Sequence, residues 1–274
     1  MAMADTSPPS PPRSADPDLA WVRIRREAQD IVVAEPALAS FLFGAVLTHG
    51  SLEDVVMHRV AAVLDHAEVP ADILCRTYEQ ALLDQPLLGV RFRSDLGAVL
   101  ERDPASQRLI EPLLYYKGFV AIQCHRLAHW LWGHGRRDFA AYLQGRSSTA
   151  LGVDIHPAAR FGGGIMLDHA TGFVVGETAV IDDDVSILQG VTLGGTGKEV
   201  GDRHPKIRRG VMIGAGATIL GNIEVGEGAR VAAGSVVLRP VPPHKTVAGI
   251  PSRIVGDADD QPARTMDQIF DPSI

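Results

Sequence analysis

The sequence is poor in features that would each point to a particular class of protein. It holds only two cysteines, Cys75 and Cys124, in 274 residues, and neither lies in a C-x-x-C pattern. This argues against a disulfide scaffold and against a cysteine-ligated zinc site. Basic residues do not dominate either, since 26 Lys and Arg stand against 33 Asp and Glu, a formal net charge of −7. A chain of this balance lacks the broad basic surface of general nucleic-acid-binding proteins, so we expect no nucleic-acid partner.

Long hydrophobic runs are also absent from the front of the chain. The apolar stretch from Ala37 to Leu47 is too short to span a bilayer. The N-terminus lacks the basic region and apolar core of a secretory signal. We therefore expect a cytoplasmic protein with no membrane partner, which suits its low cysteine count.

Glycines and aromatic residues divide the chain near residue 150. Twenty of the 28 glycines lie between residues 152 and 256, whereas twelve of the fifteen aromatic residues precede residue 151. We predict an α+β protein of several regions. They are a disordered Pro-rich tail (1–17), a helical domain (18–150), a glycine-rich domain (151–256) and a flexible C-terminal tail (257–274).

The first half shows apolar residues at helical spacing, which predicts six to eight helices. Two clear examples run from Leu19 to Val33 and from Gly118 to Trp132. Ser51 precedes two acidic residues and is typical of an N-cap. Ser94 is predicted to open a short helix that ends at Asp103, because the next residue is a proline.

The second half carries an apolar residue at every sixth position. Steps of six from Ile155 to Val191, and again from Ile207 to Val237, meet an apolar residue all thirteen times. This period is typical of a parallel β-helix, in which three six-residue sides close one coil of 18 residues. We expect four to five coils, left-handed as in the known hexapeptide folds. The repeat breaks from Thr192 to Lys206, which predicts an extruded loop.

The extruded loop reads TLGGTGKEVGDRHPK and is either functional or a tolerated insertion. It carries Arg203 and His204. Arg203 could clamp a carboxylate through two parallel hydrogen bonds, or could belong to a solvated basic loop.

Three polar residues stand out in the aliphatic repeat. Adding one 18-residue coil to Asp154 reaches Gly172, so we expect Asp154 one level below the turn that carries Asp168 and His169. A carboxylate there could orient the imidazole of His169 as a general base for a hydroxyl. In the alternative reading, Asp154 caps the first coil and His169 is only a turn residue.

Two further features suit ligand binding but also have simpler explanations. Asp103 could neutralise an ammonium group, or could only end its helix. Ala215 and Ala233, 18 residues apart, should stack on one corner of the β-helix. Their small side chains could leave a groove for a phosphopantetheine arm, but small residues also serve to turn the chain.

The motifs together resemble those of the serine O-acetyltransferase family of hexapeptide-repeat acyltransferases. The stretch from DIHPAARFGGGIMLDHATG through GDRHPKI to VLRPVPPH carries the resemblance, and so do RDPAS, PLLYYKGF and HRLAHWLWGHGRRDFA in the helical half. LDHATG and GDRHPKI on a hexapeptide repeat are highly specific. The likeness runs from about residue 20 to the end of the chain.

The resemblance implies transfer of the acetyl group of acetyl-CoA to the hydroxyl of L-serine, in cysteine biosynthesis. His169 matches the catalytic histidine and Asp154 its partner carboxylate. The remaining matches are Asp103 and Asp168 for the serine ammonium, Arg203 and His204 for the serine carboxylate, and Gly195, Ala215, Ala233 and Arg253 for CoA. No metal is implied.

The resemblance also implies several partners. Family members are trimers with sites between neighbouring chains, paired into hexamers through the helical domain. L-cysteine is the expected feedback inhibitor at the serine site. The terminal Ile274 matches the isoleucine that docks into O-acetylserine sulfhydrylase, unless this end is only a frayed tail.

Three rival functions differ from this one in testable ways. Zinc carbonic anhydrases use the same coil with three histidine ligands, but the next suitable position after His169 and His204 is Arg209, which is not a histidine. A purely binding solenoid should show a regular polar ladder, and none is present. An acetyltransferase for another hydroxyl, such as that of a sugar or homoserine, is the alternative, although a sugar would need no charge clamp.

Overall fold

The computed structural model describes residues 18–197 and 200–269. It confirms the predicted fold class, because a helical region is followed by a parallel β-helix whose first sheet stacks five strands. The predicted tail over 1–17 and the predicted docking residue Ile274 lie outside the described residues. No helix in the described ranges is both long enough and apolar enough to cross a bilayer.

Eight α-helices lie between residues 18 and 151, at the upper end of the predicted range. They are α1 (Leu19–Ala34), α2 (Ala39–Leu42), α3 (Leu52–Leu64), α4 (Ala71–Asp84), α5 (Leu87–Arg102), α6 (Ile110–Tyr115), α7 (Lys117–Gly133) and α8 (Arg137–Leu151).

The predicted helix boundaries are right at two positions and wrong at one. Ser51 caps α3, since its hydroxyl accepts a hydrogen bond from Asp54 N at 3.1 Å. Helix α5 ends before Asp103, as expected. It does not begin at Ser94, because it starts seven residues earlier, at Leu87. The acidic residue after Ser94, Asp95, is tolerated inside this helix because its buried carboxylate lies 2.7 Å from the guanidinium of Arg126.

Within residues 18–197 and 200–269, fifteen short strands form three sheets. Sheet A contains β1 (Val153–Ile155), β4 (Phe173–Val175), β7 (Thr192–Gly194), β10 (Thr218–Leu220) and β13 (Val236–Val237). Sheet B contains β2 (Arg160–Phe161), β5 (Val180–Ile181), β8 (Lys206–Ile207) and β11 (Glu224–Val225). Sheet C contains β3 (Met166–Leu167), β6 (Ser186–Ile187), β9 (Met212–Ile213), β12 (Arg230–Val231), β14 (Lys245–Gly249) and β15 (Ser252–Asp257).

The coil length is not uniform, and this corrects the predicted register. All thirteen apolar repeat positions are buried. Ile155 nevertheless pairs with Val175, 20 residues on, and not with Phe173. Ile181 pairs with Ile207 across 26 residues, and Ile213 pairs with Val231 across the expected 18. Phe173 and Val175 are both buried on β4, so the six-residue step still met an apolar residue there and did not reveal the longer first coil.

Three columns of turns, called corners, join the three sheets. The His169 corner joins sheet C to sheet A through residues 168–172, 188–191, 214–217 and 232–235. The loop corner joins sheet A to sheet B through residues 156–159, 176–179, 195–197 with 200–205, and 221–223. The third corner joins sheet B to sheet C.

Helix α7 lies across the open end of the β-helix and contacts all three corners. Gly118 packs against the carbonyl oxygen of Leu167 so closely that a Cβ would overlap it. Arg126 donates to the carbonyl oxygen of Gly162 at 2.8 Å, and His129 Nδ1 lies 2.8 Å from that of Pro157. The helical region and the β-helix therefore share one continuous hydrophobic core.

The described part of the predicted C-terminal tail lies against the rest of the molecule. It contains a short helix, α9 (Pro262–Thr265). Ser186 Oγ donates to the carbonyl oxygen of Ala263 at 2.7 Å, and Arg264 pairs with Glu101 of α5 at 2.7 Å. This part of the chain is thus attached to both the β-helix and the helical region.

Candidate active site

The turn that carries His169 is the source of the longer first coil. Here the chain makes two consecutive left-handed residues that are not glycine, with φ of 54° at His169 and 61° at Ala170. Such residues are strained and are often found at functional sites. The turn is closed by hydrogen bonds from Ala170 N to Asp168 O at 2.6 Å and from Thr171 N to His169 O at 2.7 Å. It leaves the His169 side chain 73% exposed, outside the interior of the β-helix.

His169 lines a cleft of about 440 Å³ between the helical region and the β-helix. Its walls come from the end of α5, the start of α7 and the strand end at Leu167. The lining residues that matter for the chemistry are Asp103, Tyr116, Lys117, Gly118, Asp168 and His169. The cleft is large enough for an amino acid together with the end of a longer ligand.

Two carboxylates face this cleft beside the imidazole. His169 Nε2 lies 3.7 Å from Asp168 Oδ2. Burial raises the pKa of the Asp168 carboxyl, the imidazole of His169 opposes this, and the negative charge of Asp103 adds to it. Asp103 also accepts a hydrogen bond from Ala105 N at 2.8 Å, so it ends its helix as well as facing the cleft. A cationic ligand group placed between the two carboxylates would relieve their repulsion.

The helical region supplies contacts that the sequence reasoning did not single out. Lys117 donates from Nζ to Thr171 Oγ1 in the His169 turn, and Gly118 packs on Leu167 just before it. Burial and the charge of Asp103 raise the pKa of Tyr116 at the same cleft. A glycine near the start of an apolar helix was the one local signal, since glycine there is costly unless something approaches closely.

Arg203 and His204 form a second cluster on the loop corner. Arg203 Nη2 pairs with Glu177 Oε2 at 2.8 Å. His204 is 6% exposed, and its ring packs over Gly176 where a Cβ would not fit. Burial and the neighbouring Arg203 lower the pKa of His204, against the charge of Glu177. The cluster is therefore a cationic group beside a neutral imidazole, a suitable pair for an anionic ligand group.

The two clusters lie on different corners, at the two edges of sheet A. The neighbouring charges that shift the pKa of Asp168 come from His169 and Asp103, while those acting on His204 include Arg203 and Glu177. No ion pair joins the two clusters within residues 18–197 and 200–269. One chain therefore brings together His169, Asp168 and Asp103, but not Arg203 or His204.

The expected position of Asp154 beneath the His169 turn is wrong. Because the first coil has 20 residues, Asp154 pairs with Val174 and lies on β1, the edge strand of sheet A. Its carboxylate accepts a hydrogen bond from Gln144 Nε2 of α8 at 2.7 Å. The carboxylate within 4 Å of the His169 ring belongs to Asp168.

The four predicted CoA residues also separate. Ala215 and Ala233 stack in adjacent coils of the His169 corner, where Gly234 N donates to Ala215 O at 2.8 Å. Gly195 lies on the loop corner against Arg203. Arg253 is exposed on the last strand, β15. Only the two alanines share a corner with His169.

No group of three or more His, Cys, Asp or Glu side chains could hold a metal ion in the part of the chain that the structure describes. The chemistry of the two clusters is that of acid–base and ionic side chains. A hydroxyl acceptor that also carries an ammonium and a carboxylate would match the three kinds of group they offer.

Family models match both halves of the chain. Residues 20–124 match the model for the N-terminal region of serine acetyltransferase, and residues 204–239 match the bacterial transferase hexapeptide model, which has six repeats. Serine acetyltransferase from Escherichia coli strain K12 is 55% identical over 254 residues, which is 92% of this chain and 93% of the relative. The chain belongs to the serine acetyltransferase family.

Two solved structures of serine acetyltransferases extend this comparison. One, from Brucella abortus strain S19 in complex with coenzyme A, is 58% identical, with a TM-score of 0.88 over 88% of this chain and 97% of that chain. The other is in complex with cysteine and is 53% identical, with a TM-score of 0.90 over 92% of this chain and 98% of that chain. The predicted family is thus confirmed, and the chain is an acyltransferase.

Proposed function

We propose that this chain transfers the acetyl group of acetyl-CoA to the hydroxyl of L-serine, with His169 as the general base. The observation that carries the proposal is the exposed imidazole of His169 on a strained turn, in a cleft that also holds Asp103 and Asp168. The family membership and the coenzyme A complex of the Brucella enzyme support the cosubstrate.

The reaction follows from these positions. Neutral His169 takes the proton of the serine hydroxyl as its oxygen attacks the thioester carbonyl of acetyl-CoA. The tetrahedral intermediate collapses, the carbon–sulfur bond breaks, and the proton passes from His169 to the CoA thiolate. Holding both substrates in one cleft supplies much of the acceleration, and the base contributes about 10²–10⁴-fold.

Asp103 and Asp168 are proposed to bind the serine ammonium group. Each faces the cleft beside His169, and the repulsion between them falls when a cation lies between them. Asp154 lies on β1, next to the strand that follows the His169 turn, and is proposed to orient the imidazole, as the family likeness implies.

The complete site is proposed to form between neighbouring copies of the chain. Arg203 and His204 lie on the loop corner, so they reach a serine held at the His169 corner only from a second copy. A closed ring of three copies would place each loop corner beside the next His169 corner. Pairing of two such trimers through the helical region would give the expected hexamer.

The groove for the pantetheine arm is proposed to run along the His169 corner past Ala215 and Ala233. Gly195 and Arg253 would then contact CoA from other parts of the assembled site. L-cysteine has the charged groups of serine and a thiol in place of its hydroxyl, so it is proposed to compete at the same clamp. The cysteine complex of a relative supports this. Docking of Ile274 into O-acetylserine sulfhydrylase and a cytoplasmic location remain predictions.

Release of CoA thiol with L-serine, L-homoserine or a galactoside as acceptor tests the proposal. We expect turnover with L-serine to exceed that with the other two acceptors by at least about tenfold, because the ionic groups fit a short amino acid. Faster turnover with the galactoside would support the sugar acetyltransferase alternative and overturn the serine assignment.

A further inference from the structure

We infer that Thr178 is a positioning residue that fixes Arg203 and His204 in the geometry they need to bind the substrate carboxylate. The inference rests on the proposed function, since it assumes that these two side chains contact serine. Thr178 lies on the loop corner just after β4, one coil away from the extruded loop. It was not among the residues singled out from the sequence.

The hydroxyl of Thr178 contacts two consecutive residues of the loop. Its oxygen accepts hydrogen bonds from Arg203 N at 3.0 Å and from His204 N at 3.1 Å. It also lies 2.8 Å from Nδ1 of the His204 ring. With both lone pairs accepting backbone N–H groups, its own proton is left to donate, and both His204 Nδ1 and the carboxylate of Asp202 lie within its reach.

The backbone of Thr178 independently assigns the tautomer of His204. Thr178 N–H donates to His204 Nδ1 at 3.1 Å, and an amide nitrogen can only donate. Nδ1 is therefore unprotonated, and the neutral ring carries its proton on Nε2. Burial and Arg203 lower the pKa of His204, which agrees with a neutral ring. His204 is thus held as an N–H donor from Nε2, suited to an anionic oxygen.

The residue before Thr178 holds the other half of the clamp. Glu177 pairs with Arg203 Nη2 at 2.8 Å, while Arg203 Nη1 donates to Gly201 O at 3.0 Å. Thr178 therefore binds the backbone of Arg203, and Glu177 binds its guanidinium group. A loop that adds eight residues to an 18-residue coil would otherwise have many conformations to lose on binding.

Removing the Thr178 hydroxyl should weaken the clamp without changing the chemistry at His169. The variant Thr178→Val keeps the shape of the side chain but leaves two backbone N–H groups without an acceptor. We expect the KM for L-serine to rise about tenfold or more, with kcat changed less than about threefold and the KM for acetyl-CoA unchanged. Thr178→Ser keeps the hydroxyl and should restore the serine KM to within about threefold of the original.

The matched control is Thr149→Val in α8, where the hydroxyl donates to Gly145 O of its own helix. This substitution should leave the KM for L-serine unchanged. Thermal melting of each variant shows whether it folds, and Thr178→Ala replaces the valine variant if that one does not. The inference would be overturned if a folded Thr178→Val protein kept the original KM for L-serine. It would also be overturned if Thr178→Ser raised this KM as much as Thr178→Val does. Failure of the unaltered enzyme to acetylate serine would instead refute the proposed function.

Discussion

The two corners that border sheet A differ in how they hold their histidine side chains. At the His169 corner the chain adds two residues, accepts two left-handed non-glycine residues and leaves the imidazole exposed. At the loop corner it adds eight residues and buries the His204 imidazole. There it surrounds the imidazole and the neighbouring arginine with hydrogen-bond partners. The first corner is proposed to present the reactive group and the second the clamp for the substrate carboxylate. Neither corner alone offers all the groups that a zwitterionic acceptor needs, so the site is proposed to lie between two copies of the chain.

The largest expected effect of a single substitution is at the exposed imidazole. His169→Ala should lower kcat by about 10²–10⁴-fold while serine and CoA still bind, because only the proton acceptor is lost. Steady-state release of CoA thiol measures kcat, and equilibrium dialysis measures binding. His66→Ala, at an exposed histidine outside both corners, is the control. A turnover number that stays unchanged would remove His169 from the mechanism.

A smaller effect is expected where the helical region supports the His169 corner. In Gly118→Ala the new methyl group overlaps the Leu167 carbonyl oxygen, so the strand before His169 must shift. We expect a loss of about 1–3 kcal/mol in the free energy of unfolding, together with a lower kcat. Denaturant melts and CoA release measure the two effects.

Gly97→Ala in α5 is the matched control for that variant, because nothing lies within 4 Å of its new Cβ. It should be neutral or stabilise the protein by about 0.5–1 kcal/mol. If both glycine variants behave alike, the contact between α7 and β3 does not support the turn.

The smallest expected effect is on the pH dependence of stability, and it should differ in sign between a carboxyl group of the His169 corner and one of the loop corner. Burial raises the pKa of Asp168 above its ordinary value of 3.8, so ionisation of this carboxyl is less favourable in the folded than in the unfolded protein. The stability that the protonated form provides is complete below 3.8 and is lost as pH rises through the raised pKa. Asp168→Asn should therefore raise the melting temperature at pH 7, and the gain should shrink toward pH 3.8.

Asp202, in the loop, should show the opposite sign. A hydrogen bond from Lys206 lowers the pKa of Asp202, so its ionised form adds stability that is present above 3.8 and lost as pH falls through the lowered pKa. Asp202→Asn should lower the melting temperature at pH 7, by less than the Asp168 change because Asp202 is exposed. If Asp168→Asn and Asp202→Asn changed the melting temperature in the same direction, the charge environments assigned to these two carboxyl groups would be wrong.

The sequence predicted the architecture because its signals are local. A six-residue apolar period needs no knowledge of distant contacts, and all thirteen of its positions are buried as expected. Ser51 likewise caps its helix with a hydroxyl that is three residues from its partner. The register of the first coil was missed for a physical reason, since two alternate residues of β4 face inward and either one satisfies the period.

The parts of the site that the sequence could not predict depend on tertiary contacts. Asp154 bonds with Gln144 because α8 packs beside β1, and Thr178 meets Arg203 and His204 because the loop folds back over the coil below. Gly118 matters only because α7 crosses the strand end at Leu167. No spacing along the chain encodes these approaches.

The most direct test of a shared site is to co-assemble two impaired variants, His169→Ala and Arg203→Ala, in equal amounts and to assay them at a serine concentration well below the KM of Arg203→Ala. If each site takes His169 from one copy and Arg203 from the next, then about a quarter of the sites in randomly mixed trimers regain both residues. We expect CoA release with L-serine to rise from the level of either variant alone toward about a quarter of the original activity. Mixed assemblies that stay as inactive as the separate variants would contradict a site shared between copies.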